Sequence, residues 1–325
     1  MADSRALALH ATLPERYDEF HILASMIDHR GRLVALAIDP SEGVPPPGFW
    51  RRPPPRYTAT AVICDGPEVR EIVLRDLDWW FGEIDTLGDG VVIAAGRCAP
   101  AGTEIDRWES VPEEELHLPA NVRVFDGGGQ QVAAFYAGDA IAQLMTDPQG
   151  RIWTSYFDEA TYWAPNGDGT RSHHFMVGLI RWDDHGGTPW MAWSHTRDVS
   201  WLDCYSLNVG REFVRACPYT EFPLVEIGSG RVDVVTDNPV TRCTGLAVSG
   251  SELAFLDLHR DDGAVRWEIR RARREGSSIV ETGRERLVLP DGGQPTEWAR
   301  GKVGRDGSLW VQHGDDQRRW YHYEI

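Results

Sequence analysis

The sequence predicts an all-β fold assembled from repeated hairpins, and three observations carry that prediction. Residues 28–36, 87–94, 147–156, 208–216, 248–255 and 304–311 share one design: an apolar strand, a tight polar turn containing glycine, and a second apolar strand. Glycine accepts the positive φ of such a turn, and alternating apolar residues on either side of it form a β-hairpin. The turn glycines, at 31, 90, 150, 210, 250 and 307, recur at steps of 40 to 60 residues. Third and fourth strands are legible after most hairpins, at 121–125 with 132–136, 177–182 with 190–193, 224–227 with 232–235 and 265–272 with 279–289.

Four strands in a step of roughly 40 to 50 residues make one propeller blade. The prediction is therefore a six-bladed β-propeller of four-stranded antiparallel blades, one domain over 1–325, with blades near 14–75, 76–137, 138–196, 197–236, 237–290 and 291–325. The sixth repeat lacks an outer strand, and 5–12 precedes the first blade, so the N-terminal segment is expected to supply it and close the ring, hiding both sheet edges. The longer steps hold insertions at 39–56, 96–119 and 157–175, the first with proline runs at 45–47 and 53–55. All three connect second to third strands and emerge on one face, where long loops serve as lids, binding loops or partner surfaces.

The pattern D-x-x-G-x-(I/L)-(W/V) at Asp28 and Asp147, with shortened forms elsewhere, resembles the six-bladed propellers that include gluconolactonase-like enzymes and NHL-type repeat proteins. Hairpin motifs of this kind specify fold and not chemistry. The gluconolactonase-like members imply a divalent metal such as calcium in the channel. On that resemblance Glu19 stands at the first ligand position and Asp203 is an acidic counterpart, whereas Ala140 and Gln143 occupy the places of the family's asparagine ligands.

Composition narrows the partners. A net charge of −17 and a pI near 5.0 repel phosphate backbones and anionic lipid, so neither nucleic acid nor membrane is expected to bind. The short apolar run at 6–9 is no signal-peptide core, which suggests a cytoplasmic protein. Five cysteines without a C-x-x-C pair argue for buried thiols rather than disulfides or zinc, with Cys204 and Cys217 expected to face each other across one hairpin. Lys302 is the sole lysine, a bias that reads as codon composition rather than chemistry. The pair His173 and His174 reads as a loop, because adjacent side chains diverge in a strand.

In a propeller the first strand of each blade lines the channel, so aligned hairpins make rings at its mouth. The position of Ala140 corresponds to His21, Trp80, Asp203, Arg242 and Glu297; three residues on, that of Gln143 corresponds to Ala24, Glu83, Ser206, Gly245 and Arg300. Second strands end on the same face, placing Tyr156, Asp158, Tyr219, His259 and His313 there, with Tyr205 beside Asp203. Trp80, Trp163, Trp201 and Trp298 are candidates to stack on a ligand. Imidazole, carboxylate, guanidinium and phenol on one funnel suit proton transfer on a small polar or aromatic molecule. The expectation is a non-redox hydrolase, lyase or cyclase in which His21, Asp203 and Glu297 are catalytic and Arg242 and Arg300 clamp an anionic group. Two alternatives stay open: a non-catalytic propeller that binds a protein or metabolite through this face, and polar residues that are merely solvated or paired, as Asp203 with Arg242.

Overall fold

The computed structural model describes residues 3–43, 54–98, 120–158, 160, 178–187, 189–261, 264–295, 297, 299–314 and 317–325. Most of the three insertions, the proline run at 45–47, Pro53, and Trp163, His173, His174 and Trp298 lie outside these residues. The described chain is all-β apart from short 3-10 turns, and no helix in it is long and apolar enough to cross a membrane.

The strands form antiparallel meanders. The N-terminal segment supplies β1 (Asp3–Ala6) and β2 (Ala8–Thr12). The first sheet holds β3 (His21–Ile27), β4 (Leu33–Ile38), β5 (Tyr57–Asp65) and β6 (Glu68–Leu77). The second holds β7 (Glu83–Leu87), β8 (Gly90–Ala94), β9 (Val122–Phe125) and β10 (Gln131–Phe135). The third holds β11 (Ile141–Thr146), β12 (Ile152–Tyr156), β13 (Leu179–Trp182) and the two-residue β14 (Trp190–Met191). A fourth meander runs through β15 (Asp203–Val209), β16 (Val214–Tyr219), β17 (Leu224–Gly228) and β18 (Arg231–Val235). The longest strands make the fifth: β19 (Gly245–Ser249), β20 (Glu252–Asp261), β21 (Ala264–Glu275) and β22 (Ser278–Val288). The last is β23 (Lys302–Arg305), β24 (Ser308–Val311) and β25 (Arg319–Glu324), completed by β2, which pairs antiparallel with β25. The N-terminal segment does more than the sequence suggested, since β1 also pairs in parallel with β22, and the buried Leu7 between them donates its N–H to Val288 O at 2.9 Å.

Burial follows strand position. Second strands are covered on both faces, so β4 (LVALAI) and β8 (GVVIA) are unbroken apolar runs that are buried throughout. Outer strands have one wet face and alternate, as in β6 (EVREIVLRDL). The Asp-x-x-Gly turns have a common electrostatic cause. In the turn at Asp147 the carboxylate accepts from the N–H groups of Gln149 and Arg151 and from Arg151 Nε and Trp153 Nε1, while Gly150 at φ 78° donates to Asp147 O. Asp28 with Gly31 repeats this arrangement, and so do Asp126 with Gly129 and Asp183 with Gly186 in outer hairpins. Three turns differ from expectation, the fourth among them, where Gly210 has no positive φ and is instead closely approached, a Cβ there falling 2.1 Å from Asp306 Oδ1. In the second hairpin Gly88 takes the positive φ, and Gly90 is needed for close approach, since a Cβ there falls 1.8 Å from Phe125 O. In the last hairpin Asp306 takes φ 45° in place of Gly307.

The first strands lie against one another in series: β3 on β7, β7 on β11, β11 on β15, β15 on β19, β19 on β23 and β23 on β3. At their C-terminal ends a buried polar floor ties them together. From β23, Arg305 donates to Ile27 O at 3.1 Å, Thr146 O at 2.8 Å and Asp85 Oδ2 at 2.8 Å, reaching three other sheets. Asp85 also accepts from the N–H groups of Thr86 and Thr146, both at 2.7 Å, and Thr86 Oγ1 donates to Asp28. On the other side Asn208 donates to Leu246 O and Asp306 O and bridges β15 to β23, where a Cβ on Gly304 meets Leu246 O at 2.2 Å. The thiols fall differently from expectation. Cys204 pairs with Pro218 across the hairpin, whereas Cys217 is buried in one cluster with Cys243, which precedes β19; all five cysteines are free and buried.

Removing one partner of a buried ion pair leaves an uncompensated charge, at a cost of about 3–5 kcal/mol. Arg305→Ala is expected to lose that much in urea unfolding, and adding Asp85→Asn is expected to recover part of it. A loss below about 1 kcal/mol in the single variant contradicts the floor's role.

Candidate functional site

Above this floor the first strands of four sheets enclose a cavity of about 280 Å³. Its walls come from the starts of β3, β7, β11 and β23: Ala24 and Ser25, Glu83, Gln143, and Arg300 with Lys302. Bulges between Ile22 and Ala24 in β3 and between Ile141 and Gln143 in β11 break the alternation there, a device that re-aims side chains at strand ends. One wall is rigid. Ser25 Oγ donates to Gln317 O at 2.5 Å and accepts from Gln312 Nε2 at 2.7 Å and Trp320 Nε1 at 3.1 Å. Gly301 makes room for it, because a Cβ there lies 2.3 Å from Gln312 Oε1.

Opposite this wall the polar groups are left open. Gln143 Nε2 donates to Lys302 O at 2.8 Å, and its buried Oε1 has no partner among the described residues. Solvent reaches part of Glu83 and Lys302 through the cavity, yet protein surrounds both head groups and strips away most of their hydration. Burial pushes the Glu83 carboxyl up to about 8, moderated only by a hydrogen bond from the Leu144 backbone. Burial alone pulls the Lys302 ammonium below the usual lysine range. Among the described residues no ion pair engages either group, so nothing offsets the desolvation of the charged form.

The structure gathers the sequence-derived candidates into separate groups. Glu83, Gln143 and Arg300 share the cavity. Asp203 forms a second group: its carboxylate accepts from Asp158 N at 2.5 Å and Tyr205 Oη at 3.0 Å, and Tyr219 sits opposite it in the ladder. Burial, ahead of the neighbouring Asp158 charge, raises the Asp203 carboxyl. A third group surrounds Trp267, whose Nε1 donates to Glu297 O at 2.9 Å and whose ring meets His313 edge-on at 5.8 Å. The remainder stand apart. His21 opens β3 opposite Ile38 and does not line the cavity. Arg242 is exposed at φ 60° and makes no ion pair with Asp203. His259 lies 3.9 Å from Asp257. Tyr156 is fully buried and bonded to Ala137 O at 2.5 Å, and Trp80 packs on Tyr57, so both serve the core. Trp201 is likewise buried, with its Nε1 on Thr196 Oγ1 at 2.7 Å.

Sequence reasoning passed over Lys302. The signal was there, a single lysine in a chain otherwise supplied with arginine, but only its position on the cavity wall gives it meaning.

The donors that the family resemblance assigns to a metal do not fit one. Glu19 is exposed, and both Asp203 oxygens already accept hydrogen bonds within the protein. Among the described residues the one group of three ligand atoms within 4.8 Å is Asp183, Asp184 and His185, an exposed turn that includes neither.

No protein-family model and no curated protein matches the chain. Solved structures do resemble it. XC5397, a gluconolactonase from Xanthomonas campestris, is 10% identical with a TM-score of 0.41 over 100% of this chain and 96% of its own. Hsv2 of Kluyveromyces lactis is 11% identical with a TM-score of 0.41, covering 94% of this chain and 98% of that one. PorZ, a surface component of the type-IX secretion system of Porphyromonas gingivalis, is 10% identical with a TM-score of 0.40; 92% of this chain spans 36% of PorZ. Gluconolactonase-like propeller proteins are thus among its structural neighbours.

A carboxyl raised from 4.5 to about 8 destabilises the fold progressively as pH climbs through that window, because only the unfolded chain ionises freely there. Glu83→Gln removes the effect. The variant is expected to be more stable than the parent at pH 8, by about 2–4 kcal/mol at roughly 1.4 kcal/mol per pKa unit, with the gain vanishing near pH 4.5. Thermal melts of both proteins from pH 4.5 to 8.5 check this, and a pH-independent difference contradicts it.

Proposed function

We propose that the six four-stranded units close as a six-bladed propeller and that its axial cavity binds a small polar molecule and turns it over by acid/base chemistry. The observation that carries this reading is that Glu83 and Lys302 both line one cavity, where among the described residues no ion pair engages either head group. A carboxyl pushed up to about 8 is present in both protonation states near neutrality, which is what a general acid or base requires. Lys302, with its proton more easily lost than that of an exposed lysine, is suited to exchange one as well or to face a developing negative charge.

The chemistry follows from these two groups. In its ionised form Glu83 accepts a proton from water or from a substrate hydroxyl, and in its protonated form it donates one to a leaving oxygen. The unpartnered Gln143 Oε1 accepts from the substrate and orients it, and Arg300 attracts an anionic group at the entrance. A volume of about 280 Å³ lies just below the ~300–1,000 Å³ of ligand sites, which favours a compact polar substrate. Reactions that need only proton transfer, namely hydrolysis, elimination or cyclisation, fall within its reach. The Asp203 and Glu297 groups, outside the cavity, have supporting roles at most in this scheme.

Sugar lactones are suitable first probes, being compact, polar and opened by proton transfer alone. Turnover by the parent protein is expected to fall at least about 100-fold in Glu83→Gln, in line with the ~10²–10⁴ that general acid/base groups supply. Asp203→Asn is expected to change it less than about threefold. Ligands that bind saturably in the cavity while no member of a lactone, ester and hydroxy-acid panel is converted point instead to a binding module.

A further inference from the structure

Lys302 has a second capability that acid/base exchange does not use. It is the sole lysine of the chain, and it stands at the start of β23 on the cavity wall, with protein around its head group. Several other basic side chains of this protein are engaged by carboxylates. In the fifth sheet Arg270 pairs with Glu281, Arg271 with Glu285, Arg273 with Glu252 and Arg284 with both Glu268 and Glu281. In the floor Arg305 pairs with Asp85. Lys302 has no such partner among the described residues, and its backbone is fixed by the Gln143 side chain bonded to its carbonyl. An arginine at this position keeps its charge at any physiological pH, whereas lysine is the basic side chain that becomes a neutral nucleophile when desolvated.

We propose that Lys302 forms an imine with a small aldehyde or ketone in the axial cavity, with Glu83 as the acid that completes the dehydration. This inference rests on the cavity being the functional site and names its substrate class as a carbonyl compound. The lone pair of neutral Lys302 Nζ attacks the carbonyl carbon, and the C=O π electrons pass to oxygen. Proton transfer from nitrogen to that oxygen gives a carbinolamine. Glu83 then donates a proton to the hydroxyl, the C–O bond breaks, water leaves, and the nitrogen lone pair forms C=N. Loss of the remaining N–H proton to the Glu83 carboxylate restores the acid. The balance is amine plus carbonyl giving imine plus water, with no change of oxidation state. Protonated, the imine withdraws electrons from the adjacent carbon, which suits the elimination or cyclisation already considered for this cavity. The two groups complement each other because burial acts oppositely on them: it favours the neutral acid of one and the neutral amine of the other.

Having one lysine makes the test direct. The folded protein is incubated at pH 7 with glyoxylate and cyanoborohydride, and modification of Lys302 is followed by peptide mass spectrometry against the same chain unfolded in urea. An unperturbed lysine is neutral only about once in 2,500 molecules at that pH. Trapping of Lys302 is therefore expected to be at least tenfold faster in the folded protein, and Glu83→Gln is expected to slow it severalfold with the fold intact by circular dichroism. A Lys302 that is unmodified, or modified no faster than in urea, overturns the proposal. If that happens while Glu83→Gln still abolishes lactone turnover, the covalent step falls and the acid/base site stands. If Glu83→Gln and Lys302→Arg both leave turnover and ligand binding unchanged, the cavity itself is not the site, and the proposal falls with it.

Discussion

Arg305 spreads its guanidinium over the ends of the first three sheets, donating to a carbonyl of β3, a carbonyl of β11 and the carboxylate of Asp85 in β7. Such a centre exists only if all these strand ends converge, since a buried guanidinium missing any of its acceptors pays the desolvation cost without return. It thus acts as a geometric constraint on how the first strands meet. Thr86, Thr146 and Asp28 extend the network sideways, and on the other flank Asn208 performs the same task with amide groups alone.

The cavity is the consequence of this floor. Polar groups at the C-terminal ends of the first strands are satisfied by one another, whereas several of those a few residues earlier, Glu83, Gln143 and Lys302, line a void. Glu83 and Asp85 show the contrast within one strand. Two residues apart, their side chains project to the same side of β7, but Asp85 is surrounded by donors and a cation while Glu83 receives one backbone hydrogen bond. Burial raises both carboxyls, but at Asp85 the Arg305 charge and the Thr146 and Thr86 N–H groups oppose it, whereas at Glu83 a single backbone hydrogen bond does. The fifth sheet adds a further comparison, since its Arg and Glu ladders run across the wet faces of β21 and β22, where screening limits each pair to at most about 1 kcal/mol.

Much of the fold was legible because its determinants are local. Alternation, burial-matched apolar runs and the Asp-x-x-Gly turn all act within ten residues, and the turn works because one carboxylate can reach N–H groups two and four positions ahead of it. The paired strands of the fifth sheet were readable for the same reason, and the addition of the N-terminal segment, expected as 5–12 and observed as 8–12, followed from the missing outer strand of the last repeat. The parallel docking of β1 on β22 was not, since nothing within Asp3–Ala6 distinguishes one uncovered edge from another. The ring at Glu83, Gln143 and Arg300 was found by counting from the turns, and the structure does bring those three to one cavity. The ring at His21, Asp203 and Glu297 was found by the same count, but its members have different neighbours at each strand end, so they are dispersed among local hydrogen bonds and loops.

The amino-acid sequence by itself determined the strand order, the hairpin turns and the acidic character of the surface, because each depends on short-range sterics or on a sum of charges. Only the tertiary structure decided that Lys302 and Glu83 face a common void, and that Asp85 meets Arg305 from the far end of the chain. The reason is that solvation and the absence of countercharge belong to the space around a side chain, and that space is built by strands contributed from opposite ends of the chain.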